Sequence, residues 1–258
     1  MPHRVGDAVN WLQVLAITAA GLFAGGINAV VGSGTLVTFP ALLAVGYPPV
    51  TANVSNSLGL VPGSLTGAIG YRDELVGQRS MLVRLTVMSS LGALVGAALL
   101  LTLPPEAFKA VVPVLVAVAL VLVVIQPFVA KEVAARAQRM SRHGGRALCL
   151  AVFCTGVYGG YFGAAQGVLA LGLMGVLLNE RLQRLNAIKN VLTMAANLVA
   201  GVVFIFVAHV AWLAVLLLAA GSTVGGMLGA RFGRRLHPAV LRGVIVVVGV
   251  TAIVKLLS

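Results

Sequence analysis

Two apolar stretches have lengths that do not suit a membrane. The first, residues 11–46, contains "GGINAVVGSGTLVTFPALLAVG". Residues 12–45 as one helix would run about 51 Å, against a hydrocarbon core of about 30 Å. That is too long for one straight crossing and too short for two. Residues 147–178 are overlong in the same way. Each stretch has a Gly-rich interruption near its middle, "GSGT" in the first and "GGYFGAAQG" in the second. Gly32, Ser33 and Gly34 are poor helix formers, and Pro40 follows six residues after Gly34.

The surrounding solvent is lipid. The chain has 258 residues, of which 60% are hydrophobic and only 9% charged, where soluble domains carry about 25% charged residues. The apolar runs do not alternate, so helices and not barrel strands are expected. The segments 50–70, 81–103, 107–129, 185–207, 211–230 and 238–257 each suit one crossing. Residues 1–10 hold a single Arg and are a weak leader signal, so residues 11–31 are read as a retained helix.

Charge selects the topology. If every segment crosses once, with the N-terminus inside, ten of the 18 Lys and Arg residues lie inside and eight outside. If both long segments turn back at their Gly breaks, fifteen of the 18 lie inside, leaving Arg4, Lys109 and Lys255 outside. The positive-inside bias favours the second arrangement. Each half is then a broken-helix hairpin plus three transmembrane helices. The second half is inverted relative to the first, and both termini lie outside. The expected class is an all-α polytopic membrane protein of two inverted repeats. Residues 1–129 form the first, 130–146 a basic cytoplasmic linker and 147–258 the second. An offset of 133 residues superposes Asn53 on Asn186, Gly34 on Gly167, Gly92 on Gly225 and Gly96 on Gly229. Inverted repeats with broken helices are a common design of secondary transporters.

The net charge of +12 fits this bias of the loops and does not require nucleic acid as a partner. All six acidic residues, Asp7, Asp73, Glu74, Glu106, Glu132 and Glu180, lie in loops or termini. That argues against a cation substrate and a buried-carboxylate proton relay. Cys149 and Cys154 sit off a common helix face and suggest neither a disulfide nor a metal pair. His209 and His237 have no partner ligands, and "GSGT" lacks the Lys-Ser/Thr ending of a nucleotide loop. No metal, cofactor or catalytic constellation is expected.

Irregular backbone at membrane depth is tolerated when it is buried in protein or lines a cavity. Helix N-termini at the breaks would offer free N–H groups and partial positive charge to an anion. Asn53, Asn56, Ser57 and Ser64 share one face of the helix after the first break. Asn186, Lys189, Asn190, Thr193 and Asn197 do the same after the second. Such stripes face the bundle interior, for substrate or for interhelical hydrogen bonds. Lys189, opposite Asn56 at the same offset, either supplies a point charge to an anion or snorkels to the inner interface. Tyr158, Tyr161 and Gln166 are donors to an anion or packing residues. Gly221, Gly225, Gly229 and Gly233, with Gly92 and Gly96, form small-residue packing stripes.

At these residues the chain resembles the sulfite exporter family of TauE/SafE-type transporters. The likeness is carried by "AGGINAVVGSGTLVTFPALLAVGYPPVTANVSNSL", "GVYGGYFGAAQGVLALGLMGVLL", "NAIKNVLTMAANL" and "GARFGRRL", and it covers nearly the whole chain. Ser33 replaces the middle of the family's usual three glycines. The resemblance implies transport, as export or import, of small sulfur-containing anions such as sulfite, sulfoacetate or other sulfonates across the bacterial cytoplasmic membrane. The expected substrate-binding set is Asn28, Gly32, Ser33, Gly34, Asn53, Asn56, Tyr161, Gln166, Lys189 and Asn190. Partners are the anion and membrane lipid, with a homodimer allowed. An anion channel with the same pore residues, and a membrane assembly factor without transport, are the alternatives.

Overall fold

The computed structural model describes residues 10–136, 145–232, 243, 245–251 and 253, with backbone alone for 129–136. The described residues are helical with no strand. Among the described residues, nine continuous α-helices run in order: α1 Trp11–Val30, α2 Thr35–Val45, α3 Pro49–Gly70, α4 Arg79–Thr102, α5 Pro105–Arg136, α6 Arg146–Tyr161, α7 Gln166–Leu177, α8 Leu182–Val207 and α9 Trp212–Phe232. A short 3-10 helix, Arg72–Leu75, follows α3. Residues 243, 245–251 and 253 are helical. The rest of the expected segment 238–257, with Gly233, His237 and 137–144 of the linker, lies outside the described residues.

Five of these helices, α1, α4, α5, α8 and α9, are long and apolar enough to cross a membrane. α3 has the length, at 22 residues, but its Asn and Ser face lowers its apolar character. The two overlong stretches are broken where the glycines sit. Their arms are unequal: 20 and 11 residues for α1 and α2, 16 and 12 for α6 and α7. The first break therefore comes later than the middle, since Leu, Ala and Ile carry α1 as a continuous helix up to Val30. The other departure is α5, which continues past 129 to Arg136. Its "AKEVAAR" end is made of good helix formers, so the charge that marks a linker does not stop the helix.

The packing pairs elements across the chain. α9 lies on α1, and α4 lies on α6; α3 and α8 touch each other at the centre. Glycine stripes make the first two approaches. A Cβ on Gly225 would sit 1.9 Å from the Leu22 carbonyl oxygen, and one on Gly96 would sit 2.0 Å from that of Val157. No side chain fits there, so backbones meet directly, as small residues allow in lipid.

α3 and α8 run antiparallel. At one end, Arg181 pairs with Glu74 at 3.3 Å and Arg184 donates to the Glu74 carbonyl at 3.1 Å. These contacts join the exit of α3 to the entry of α8. At the other end, the Ala211 N–H donates to Ser55 Oγ at 3.0 Å, joining the exit of α8 to the entry of α3. The polar stripes of both helices point inward: Asn53, Asn56, Ser57, Ser64, Asn186, Lys189, Asn190, Thr193 and Asn197 are all buried.

Candidate functional site

The two breaks share one backbone pattern. At the end of α1 the N–H groups of Val31 and Gly32 both donate to the Ile27 carbonyl, at 2.7 and 3.1 Å. At the end of α6 those of Phe162 and Gly163 both donate to the Tyr158 carbonyl, at 2.9 and 3.0 Å. Gly32 and Gly163 then take left-handed φ of 89° and 75°, a conformation glycine adopts without steric cost. The breaks thus correspond at an offset of 131, not the 133 that relates α3 to α8. The expected match of Gly34 to Gly167 shifts by two: the counterpart of Gly34 is Ala165, each preceding its short helix, although Ala165 is left-handed at φ 58° and Gly34 right-handed at −57°.

Gly167 instead touches the other break. Its N–H donates to the Gly32 carbonyl at 3.1 Å. A Cβ on either residue would lie 2.6 Å from the other's Cα. The two interruptions therefore meet backbone to backbone.

The carbonyls left over at each broken end are satisfied by the opposite half. Lys189 Nζ donates to the Asn28 carbonyl at 3.0 Å and reaches that of Ala29 at 3.4 Å. Asn190 Nδ2 donates to the Ala29 carbonyl at 3.3 Å. In mirror fashion, Asn53 on α3 donates to the carbonyl of Tyr161, the last residue of α6, at 3.0 Å. A cation at a helix C-terminus also complements the helix dipole. Lys189 is 0% exposed, so it does not snorkel. One of the fifteen charges assigned to the inner side, it lies within α8.

The entry of α2 is wired to α3 and to its own hairpin partner. Asn28 Nδ2 donates to Ser64 Oγ at 3.0 Å, while its Oδ1 accepts from the Gly34 N–H at 3.5 Å. Asn56 Nδ2 donates to Thr35 Oγ1 at 3.2 Å, and Thr38 donates its hydroxyl to Asn56 Oδ1. Ser33 is buried, and its Oγ has no hydrogen-bond partner. The Oδ1 atoms of Asn53 and Asn186, which correspond at offset 133, are also buried and unpartnered.

Asn28, Gly32, Ser33, Gly34, Lys189 and Asn190 thus surround the first break, with Asn56 one shell out through Thr35 and Thr38. Tyr161 and Gln166 sit differently. Tyr161 offers its carbonyl inward, while its ring packs edge-on against Phe108 at 5.7 Å. The Gln166 side chain fills the space where Gly159 lacks a Cβ. Thr35, Thr38 and Ser64 were not singled out as ligands, although two threonines three apart on a short apolar helix are a readable signal. Gln126 was missed as well. It reaches the Val31 carbonyl from α5 at 3.5 Å, and it is a lone amide in an apolar run.

A buried lysine, helix N-termini and paired broken helices within a multi-pass helical bundle define a membrane transporter of the broken-helix type. The family model described as "Sulfite exporter TauE/SafE" matches residues 17–256, and the chain belongs to that family. The relative "Probable membrane transporter protein YfcA" of Escherichia coli is 27% identical over 237 residues, 92% of this chain and 86% of its own. "Probable membrane transporter protein ORF9" of a Sinorhizobium species is 28% identical over 242 residues, 93% and 90% of the two chains. A "Probable membrane transporter protein" of Haemophilus influenzae is 28% identical over 238 residues, 92% and 91%. No solved structure matches the chain.

Proposed function

We propose that the protein is a secondary transporter, working as an exporter, of small sulfur-containing anions such as sulfite or organosulfonates. One observation carries this reading: the ammonium of Lys189 is fully buried at the junction of the breaks and held by carbonyl oxygens, not by a carboxylate. Desolvating such a charge costs several kcal/mol, which neutral partners offset only in part. A compact anion completes the balance. Lys189 supplies the point charge, Ser33 Oγ and the N-terminal turn of α2 supply hydrogen bonds, and Asn28, Asn56 and Asn190 hold the cradle.

The antiparallel run of α3 and α8, and the mirrored packing of α9 on α1 and α4 on α6, support two inverted repeats joined by residues 130–146. Alternating access then means rocking of one repeat against the other. The contact of Gly32 with Gly167 favours this over a channel, because an open pore needs those backbones apart. The setting is the bacterial cytoplasmic membrane, with both termini periplasmic and a homodimer as the allowed assembly.

The test is flux into liposomes holding the purified protein. Sulfite, sulfoacetate and thiosulfate are supplied in turn under imposed proton, sodium and substrate gradients. Uptake of at least one, saturable and absent from empty liposomes, is expected. No movement of any under every gradient removes the substrate assignment.

A further inference from the structure

At the end of the bundle where α3 leaves and α8 enters, polar contacts cross from one half of the chain to the other. Glu74, in the 3-10 helix after α3, accepts from Arg181 Nη2 at 3.3 Å. Its carbonyl accepts from Arg184 Nε at 3.1 Å. Arg184 Nη1 also donates to Glu180 Oε2 at 2.7 Å, and the other oxygen of Glu180 accepts from Gln78 Nε2 at 3.5 Å. The side chains of Glu74 and Glu180 are only 20% and 17% exposed, so the network is worth more than isolated surface pairs are. Beneath it, Leu75 packs on Tyr71, Ala187 and Ala230. Arg184 precedes Lys189 by five residues on α8, about 7.5 Å along the helix axis. Between them lies Asn186, whose buried Oδ1 has no partner. The clamp therefore covers the polar stripe of α8 where it leads to Lys189.

The opposite end carries no counterpart. The offset of 133 that relates α3 to α8 places Glu74 on Val207, Gln78 on Ala211, Glu180 on Tyr47, Arg181 on Pro48 and Arg184 on Thr51. Every charge falls on a neutral residue. The exit of α8 and the entry of α3 are joined there by the Ala211 N–H on Ser55 Oγ. Two mirror-related conformations of inverted halves would balance if both ends closed alike. Here, closing the end at the exit of α3 gains ion pairs that closing the other end does not. We propose that Glu74, Gln78, Glu180, Arg181 and Arg184 form a latch that holds this end of the transport path shut, so that the empty carrier opens by preference at the opposite end. The latch rests on the alternating-access reading and sets the balance between its two states.

The probe is N-ethylmaleimide, applied to the full chain in liposomes with Cys149→Ser and Cys154→Ser as background. The thiol of Asn186→Cys reports on this end, and that of Asn53→Cys, its counterpart by the offset, reports on the other. Glu74→Arg is expected to raise the reaction rate at position 186 about tenfold, the effect of losing one charged contact, without raising the rate at position 53. Adding Arg181→Glu restores opposite charges and is expected to reverse most of that rise. An unchanged rate at position 186 overturns the latch. A rise at both positions does so too, since it marks general loosening, as does a rise that Arg181→Glu leaves in place. The transport reading is judged separately, by anion flux through the protein without reporters. Absent flux removes that reading and the latch with it, whereas flux with an unmoved rate at position 186 removes the latch alone. If Asn186→Cys fails to fold, Gln183→Cys, about one turn earlier on α8, reports on the same end.

Discussion

Lys189 donates from α8 to the carbonyl of Asn28 at the end of α1, 161 positions earlier in the chain, at 3.0 Å. Replacing it separates charge from packing. Lys189→Met keeps the volume and removes a buried cation, but it also leaves the buried Asn28 carbonyl without its donor, a cost of about 1–3 kcal/mol. We expect a modestly lowered melting temperature, with anion affinity reduced at least roughly tenfold, the loss of one charged hydrogen bond. Isothermal titration with sulfite against both proteins checks this. Equal affinities would take Lys189 out of the site.

The close approach of Gly32 and Gly167 sets a second expectation. Gly167→Ala puts a Cβ 2.6 Å from Gly32 Cα and 2.9 Å from its carbonyl oxygen. The breaks must move apart, at a cost of about 1–3 kcal/mol. Melting in detergent should fall, and flux should fall further than stability accounts for. Full flux with native melting would show that the breaks tolerate separation.

Much of this was legible beforehand. The breaks were readable because glycine runs contradict a length that lipid demands, and both signals fall on the same residues. The inward stripes of α3 and α8 were readable because a helix repeats every 3.6 residues and lipid rejects amides. Register was harder. Gly34 and Gly167 share a residue type at the offset that fits α3 and α8, yet backbone hydrogen bonding shifts the breaks by two. Identity along a chain does not see such a local slip. Nor could the sequence tell that Lys189 caps α1, since its partners are main-chain oxygens that carry no residue signature.

The glycine stripes make a paired prediction. Gly225→Val and Gly96→Val each drive a side chain into a carbonyl oxygen, at Leu22 and at Val157 respectively. Both should abolish monodisperse elution in size-exclusion chromatography. Gly46→Ala is the contrast. Its φ of 106° strains any side chain placed there, but no atom lies within 4 Å of its added Cβ, so the loss should stay at about 1–2 kcal/mol.

Topology has its own readout. Reporter fusions at positions 210 and 233 should read periplasmic and cytoplasmic. The reverse pair of signals would return the chain to eight simple crossings and dissolve the inverted arrangement.

The exchanged packing of α1 on α9 and of α6 on α4 bears on how such a chain is assembled. Each hairpin's long arm finds its seam on a helix made by the other half of the gene. The first three helices leave the ribosome before α9 exists, so the groove along Gly21 and Gly25 lacks its partner until α9 is made. Two separately expressed halves would have to find each other to close either seam. A truncated product stopping before α9 would leave the α1 seam unfilled.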